Sequence, residues 1–303
     1  MRAIVTGATG FVGQNIVNEL LKQSIDVIAV DINIENVPSD WNDKVTCVKM
    51  NIFDENDYSV LEKYQIDMAY HLAWAATSGK MRADVSLQLD NVKYSCKFME
   101  YLVGRGCKRF VFAGSIMEYE AMEYISQDDS KPSLGMMYST AKLTADFMLK
   151  TLAHSLNMEY VNVLISNIYG AGEKSPRFLN TMLRKMINNE EIELTHCKQL
   201  YDFVYVTDAA KAIVTSGLKG ESMNTYYIGN KKPLPLREFV EIMMEVTKSN
   251  SNLQFGKVPY NNALLTYKEF DTTKLVDELN VSFENDFATG VKKTMNWIQE
   301  NPL

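Results

Sequence analysis

The run Tyr138-Ser139-Thr140-Ala141-Lys142 sets a phenol and an ammonium four residues apart, which on a helix is one face. A solvated Tyr titrates at about pH 10 and is a poor acid or base at neutral pH, but a neighbouring cation stabilises its phenolate and brings proton transfer within reach. Such a pair can exchange a proton with an alcohol. In isolation the same spacing fits a Tyr packed beside a solvated Lys. What favours chemistry is Ser115, at the end of Phe112-Ala113-Gly114-Ser115, whose hydroxyl can share a substrate oxygen with Tyr138. A second group of residues has binding chemistry. Thr6-Gly7-Ala8-Thr9-Gly10-Phe11-Val12-Gly13 is a GxxGxxG loop, in which Gly7, Gly10 and Gly13 permit a tight turn, close approach of backbone N–H groups to a pyrophosphate, and helix-on-strand packing. Asp31 follows 18 residues after the last glycine, where a carboxylate accepts both ribose hydroxyls of an adenosine and repels a 2′-phosphate. With no Arg at 32 or 33, the expected cofactor is NAD rather than NADP.

These residues need a frame, and the chain supplies one in the alternation of short β-branched runs with longer stretches of helical periodicity, the sign of βαβ units. Strands are expected at Arg2–Thr6, Asp26–Asp31, Val45–Met50, Met68–Ala73, Arg109–Ser115 and Tyr160–Ser166. Helices are expected at Glu55–Tyr64, Asn91–Arg105 and Met136–Leu156, with Val12, Ile16 and Leu20 marking another after the glycine loop. The expected fold is α/β, a Rossmann-type doubly wound parallel sheet with ligands at the carboxyl ends of its strands. Past residue 166 the rhythm changes. A helix is expected at Arg177–Asn189, a strand at Phe203–Val206 running into a helix to Leu218, and helices at Leu236–Thr247, Thr272–Leu279 and Ala288–Glu300. The expected division is a cofactor domain over residues 1–166, to which 200–220 returns, and a smaller, mostly helical substrate domain over 167–303.

Composition agrees with a globular chain. With 46% hydrophobic and 11% aromatic residues, 303 residues can bury a full core, which excludes wholesale disorder. Against 38 acidic side chains stand 31 basic ones without any basic block, so a nucleic-acid footprint is not expected. Cys47, Cys96, Cys107 and Cys197 are scattered, which suits reduced thiols, and no metal site is expected; His71, His154 and His196 have no partners at ligand spacing. The chain opens directly into a strand and has no apolar run near the roughly 20 residues of a membrane span, so a cytoplasmic protein is expected.

The ordered set TGATGFVG at 6–13, Asp31, HLAWAA at 71–76, Asn91-Val92, GSIMEY at 114–119, YSTAK at 138–142, SNIYGAG at 166–172 and YDFVYVTDAAKAI at 201–213 resembles the extended short-chain dehydrogenase/reductases, specifically the NAD-dependent epimerase/dehydratase family acting on nucleotide sugars. The resemblance implies that Tyr138 is the catalytic acid/base, that Lys142 holds the nicotinamide ribose and tunes the Tyr, and that Ser115 orients the sugar oxygen. It implies that Phe11 and Val12 meet the pyrophosphate and that Ile32, Asn51 and Ile52 lie at the adenosine. Leu72, Ala73, Ala75, Asn91 and Ile165 then border the cofactor, and Asn167 touches cofactor or sugar diphosphate. Met117, Arg177 and Asp202 fall to the substrate. A homodimer formed by the helices at Asn91–Arg105 and Met136–Leu156 is also implied.

Three departures bear on the reaction. Dehydrating members carry an Asp-Glu pair after the catalytic Ser or Thr, where this chain has Ile116-Met117, with Glu118 displaced by one position. The family commonly has Arg where this chain has Leu164 and Tyr201, neither of which can clamp a diphosphate, so either Arg177 or Lys174 is the expected substitute or the substrate is atypical. Asn51 replaces the usual Asp, and its carbonyl can still accept from the adenine amino group. The reading is a nucleotide-sugar epimerase working through a keto-sugar, with an NAD(P)H-dependent 4-keto reductase of a nucleotide-linked deoxysugar as the alternative. A dehydratase or a non-catalytic NAD-binding protein fits the intact triad less well.

Overall fold

The computed structural model describes residues 1–302 except 36, 42, 231–232 and 261–263. Its centre is a parallel sheet of seven strands, β1 (Arg2–Thr6), β2 (Asp26–Asp31), β3 (Val45–Lys49), β4 (Met68–His71), β5 (Arg109–Ser115), β6 (Glu159–Ile165) and, much later in the chain, β11 (Asn224–Ile228). Their order across the sheet is β11-β6-β5-β4-β1-β2-β3, so the direction of winding reverses between β1 and β4. Six strands are legible in the apolar runs; the seventh, NTYYI, pairs in register with β6 from Val161 to Ile165. The intervening β7 (Asn167–Tyr169), β8 (Ile192–Leu194), β9 (Leu200–Tyr201) and β10 (Phe203–Tyr205), with β12 (Leu234–Pro235) and β13 (Leu253–Phe255), form three small two-stranded ladders.

The helices are α1 (Phe11–Lys22), α2 (Val85–Val103), α3 (Met117–Ser126), α4 (Met136–Ser155), α5 (Phe178–Ile187), α6 (Val206–Lys219), α7 (Leu236–Thr247) and α8 (Phe287–Glu300). The strand side chains alternate between two cores. Ala3 and Val5 join Ile16, Leu20 and the α6 residues Ala209, Ile213 and Val214 on one face, while Ile4 joins Phe98, Leu102, Ala145 and Leu149 from α2 and α4 on the other. Both faces of the sheet are thus covered, which is why its strands read as continuous apolar runs. The expected helix at Glu55–Tyr64 is instead a 3-10 segment, Glu55–Leu61, and that at Thr272–Leu279 is a single π turn, Lys274–Glu278. Asp54 caps the first by accepting from the Asn56 amide. α2 begins at Val85, six residues before its expected start, because Asp84 caps it through the Leu87 amide.

Beyond β6 the chain does not leave the sheet for good: α6 packs against α1, and β11 then extends the sheet. The remaining C-terminal elements gather around an aromatic cluster of Tyr169, Phe203, Phe239 and Phe287, with the last two rings 4.7 Å apart. Among the described residues, no helix is long and apolar enough to cross a membrane.

Candidate active site

At the carboxyl end of the sheet, where the winding reverses, lies a cleft of about 790 Å³. That is the size and place at which an open α/β sheet takes a ligand. One end is built from the loop after β1. Gly7 has φ +68°, and a Cβ there would lie 3.0 Å from the Ala73 nitrogen; one on Gly13 would lie 2.9 Å from the Ala8 Cα, so both positions are closed to any side chain. Thr6 fixes this loop to the next strand: its hydroxyl is 2.8 Å from His71 Nδ1 and accepts from the Ala73 amide. The other ring nitrogen of His71 reaches Ser95 Oγ at 2.9 Å. Burial drives the His71 ring down to about 3, so it is a neutral internal hydrogen-bonding bridge.

Asp31, at the end of β2, accepts from the Thr9 amide at 3.0 Å with one carboxylate oxygen and from the Ile32 amide at 2.8 Å with the other. Each oxygen has a further lone pair, and Asp31 lines the cleft, so it has the acceptor capacity a ribose diol needs. Gly10, Phe11, Val12, Ile32, Asn51 and Ile52 complete this end of the cleft, and Leu72, Ala73, Ala75 and Ile165 line its middle. The residues therefore fit a dinucleotide: glycines that leave the backbone open to a pyrophosphate, and a carboxylate at the ribose. Asn91 stands differently from its expected place beside the cofactor. It is buried and outside the cleft lining, where its side-chain carbonyl accepts from the Ala75 amide and its amide donates to the Ala75 carbonyl. It shapes the wall rather than forming it.

At the other end Ser115 closes β5, and α4 brings Tyr138 and Lys142 to it one turn apart. All three line the cleft and all are largely buried. The Lys142 ammonium is not solvated: it donates to the Ala113 carbonyl at 2.8 Å and lies 3.7 Å from the centre of the Trp74 ring. Burial lowers it to about 7, against the pull of the Glu118 carboxylate. Burial also raises the Tyr138 phenol, while its hydrogen bond with Ser115 and the guanidinium groups of Arg82 and Arg177 act downward. Burial thus favours the uncharged form of each group, and at the phenol the Ser115 hydrogen bond and the two guanidinium groups oppose it.

Glu118 lies behind this site. It is 2% exposed, accepts from the Ser115 amide at 2.7 Å and from the Asn162 side chain, and does not line the cleft. A Cβ on Gly114 would sit 2.7 Å from its carboxylate, so the glycine before Ser115 makes room for it. Burial pushes Glu118 up to about 8. Ile116 and Met117 both line the cleft and give it no carboxylate.

The substrate side divides the expected residues. Met117, Asn167 and Arg177 line the cleft, Arg177 with its guanidinium 3.8 Å from the Glu173 carboxylate. Asp202 does not. It has no exposed surface, and its carboxylate accepts from the Tyr227 hydroxyl at 2.9 Å and the Asn230 amide at 2.7 Å, while its carbonyl accepts from the Asn167 side chain. Both bonds fall on one carboxylate oxygen, the other is buried without a partner, and from outside the cleft lining the residue positions Asn167 and the β11 end. Leu164 is buried in an apolar cluster with Ile116, Tyr227 and Phe270, and Tyr201 packs against Phe178 and Phe203 outside the cleft lining. Two cleft residues carry no sequence signal of their own. Trp74 covers the Lys142 ammonium, and Arg82 lies over the Tyr138 ring. Trp74 stands within the HLAWAA run, whereas nothing about Arg82 marks it.

Among curated proteins, the chain is similar to a CDP-abequose synthase from Salmonella muenchen, 25% identical over 97% of each chain. It is also similar to a putative UDP-glucose 4-epimerase from Methanocaldococcus jannaschii, 24% identical over 98% of each. Among solved structures, MoeE5 in complex with UDP-glucuronic acid and NAD shares the fold at a TM-score of 0.81, with 22% identity over 99% of both chains. The model of the NAD dependent epimerase/dehydratase family matches residues 3–229, from β1 through β11, and the chain belongs to that family.

Proposed function

We propose that this enzyme is an NAD-dependent epimerase of a nucleotide sugar that works through a transient keto-sugar. The observation that carries the reading is the convergence of Ser115, Tyr138 and Lys142 on one end of a cleft whose other end offers Gly7, Gly13 and Asp31, with apolar Ile116 and Met117 where a dehydratase needs its acids. NAD, when bound, supplies the acceptor and donor of hydride at one sugar carbon. Gly7, Gly10, Phe11, Val12 and Gly13 would hold its pyrophosphate, Asp31 its adenosine ribose, Asn51 and Ile52 its adenine, and Tyr138 and Lys142 its nicotinamide ribose. Asp31 disfavours a 2′-phosphate.

The chain's own part is proton transfer and orientation. Ser115 holds the sugar oxygen against Tyr138, whose phenolate takes the hydroxyl proton as the keto-sugar forms and returns it when the alcohol is restored. Lys142, held on the Ala113 carbonyl, keeps a cation beside the phenolate. Met117 and Ile116 have no proton to give a departing hydroxyl, so the keto-sugar keeps its substituents, and inversion requires only that it turn within the cleft. On this reading residues 1–166 with the 200–220 return bind the cofactor, 167–303 take the substrate, and the protein works as a cytoplasmic homodimer.

The experiment is to denature the purified protein and quantify released NAD(H) and NADP(H) by chromatography. Near-stoichiometric NAD is the expected result, since an epimerase regenerates its cofactor in place. An empty site that binds NADH or NADPH reversibly moves the assignment to a 4-keto reductase of a nucleotide-linked deoxysugar, for which the same three residues serve.

A further inference from the structure

Among the described residues three cations line the cleft, and they are held differently. Lys142 is committed to the Ala113 carbonyl, and Arg177 stands 3.8 Å from the Glu173 carboxylate. Arg82 sits on the 3-10 turn Lys80–Ala83, between β4 and α2, with its guanidinium carbon 4.4 Å from the centre of the Tyr138 ring. Among the described residues its guanidinium has no carboxylate within 4.0 Å and makes no hydrogen bond, and its Nε is shut off from solvent. A partly buried guanidinium with its donors unspent is costly unless something fills it. The acid whose charge it feels, Glu120, is itself buried and pushed up to about 7, and does not reach ion-pair distance. A ligand in the cleft can supply the counter-charge.

The substrate inferred above has such a charge and lacks its usual receptors. Leu164 is locked in an apolar cluster and Tyr201 packs among aromatic rings outside the cleft lining, so neither position can receive a diphosphate. A guanidinium lying over an aromatic face still donates from its edge, in the fork that suits phosphate or carboxylate. Its place against the Tyr138 ring keeps whatever it binds within about a sugar ring of the reacting oxygen.

We propose that Arg82 is the oxyanion-binding residue of the substrate cleft, taking a phosphate of the nucleotide sugar or a carboxylate on its sugar ring. The proposal rests on the nucleotide-sugar reading and adds to it the residue that reads the charge. It makes the turn after β4, rather than the C-terminal part, the element that selects anionic substrates.

The test is titration calorimetry on cofactor-loaded protein, in which the glycine loop is filled, with UDP-glucose, UDP-glucuronic acid and inorganic pyrophosphate as probes for wild type, Arg82→Gln and Arg82→Lys. If the oxyanion is a phosphate, Arg82→Gln weakens all three by about tenfold or more, the size of one lost charge-assisted contact. If it is a ring carboxylate, wild type prefers UDP-glucuronic acid to UDP-glucose and Arg82→Gln loses that preference alone. Arg82→Lys, which keeps the charge without the fork, falls between, and it carries the test should the Gln variant lose its cofactor or melt early. Binding of all three probes unchanged in Arg82→Gln overturns the proposal, as does wild-type protein that binds none of them. Pyrophosphate binding that depends on Arg82, without binding of either sugar nucleotide, upholds the oxyanion site and counts against the nucleotide-sugar reading.

Discussion

For a single residue, what matters most is where its charge is kept. Lys142 is buried between the Ala113 carbonyl and the Trp74 ring, while the cations that act on the Tyr138 phenol are the guanidinium groups of Arg82 and Arg177. On the proposed role of Tyr138 as acid/base, its hydroxyl is the group whose removal separates chemistry from binding. Tyr138→Phe keeps the ring that meets Trp74 edge-on and lies beneath Arg82, and loses only the hydroxyl. The expected outcome is a fall in turnover of about 10²- to 10⁴-fold, the usual worth of a positioned acid/base, with cofactor content unchanged. Turnover at the wild-type rate would remove Tyr138 from that role. The Ser115, Tyr138 and Lys142 set was legible in the sequence because two members are fixed by helical spacing and the third by a strand end. Arg82 was not, because its relation to Tyr138 arises from how the turn after β4 folds back over α4, and no local spacing encodes that. Asp202 was expected at the substrate, and only its burial, with bonds from Tyr227 and Asn230, places it outside the cleft lining.

Among the elements, two of those that periodicity misses are the most instructive. α3 carries Glu118 and Glu120 on its buried side, so a helix whose buried face is partly acidic does not display an apolar stripe. β11 is only five residues long and stands far from its neighbour β6 in sequence, and its membership of the sheet follows from α6 returning to α1. Asp202 ties these distant pieces together, since it precedes β10 and accepts from Tyr227 on β11. Burial pushes it up to about 7 from an ordinary 3.8, so the folded protein binds a proton there more tightly than the unfolded chain does. The stabilisation from that proton is complete below about pH 4 and is lost as the pH rises through about 7. Asp202→Asn keeps an oxygen that can accept both hydrogen bonds but does not titrate. The expected outcome is that wild type loses roughly 2–4 kcal/mol of stability relative to Asp202→Asn between pH 4 and 7.5, read from denaturant midpoints across that range. Parallel pH profiles for the two proteins would show that Asp202 is ionised in the fold at all these pH values.

On the scale of the whole molecule, the same α4 that presents Tyr138 and Lys142 to the cleft turns a different face outward. Phe147 is 72% exposed and Met148 47%, and on α2, which packs along α4, Leu89 is 61% exposed. Large apolar side chains gathered on two adjacent helices are costly in water and are the feature that a subunit interface covers. A symmetric pairing of these two helices with their copies would bury all of them at once, since one patch meets itself across a two-fold axis. It would also brace α4 from behind, opposite Tyr138 and Lys142. The expected mass in solution by light scattering is therefore twice the 34.5 kDa of the chain. Phe147→Glu, which puts a charge on the exposed face of α4 without touching either core, is expected to return the mass to that of one chain. A wild-type protein already at 34.5 kDa would leave the outward face of α2 and α4 without a partner copy, whereas a Phe147→Glu variant that stays at twice the mass would place the contact on another surface.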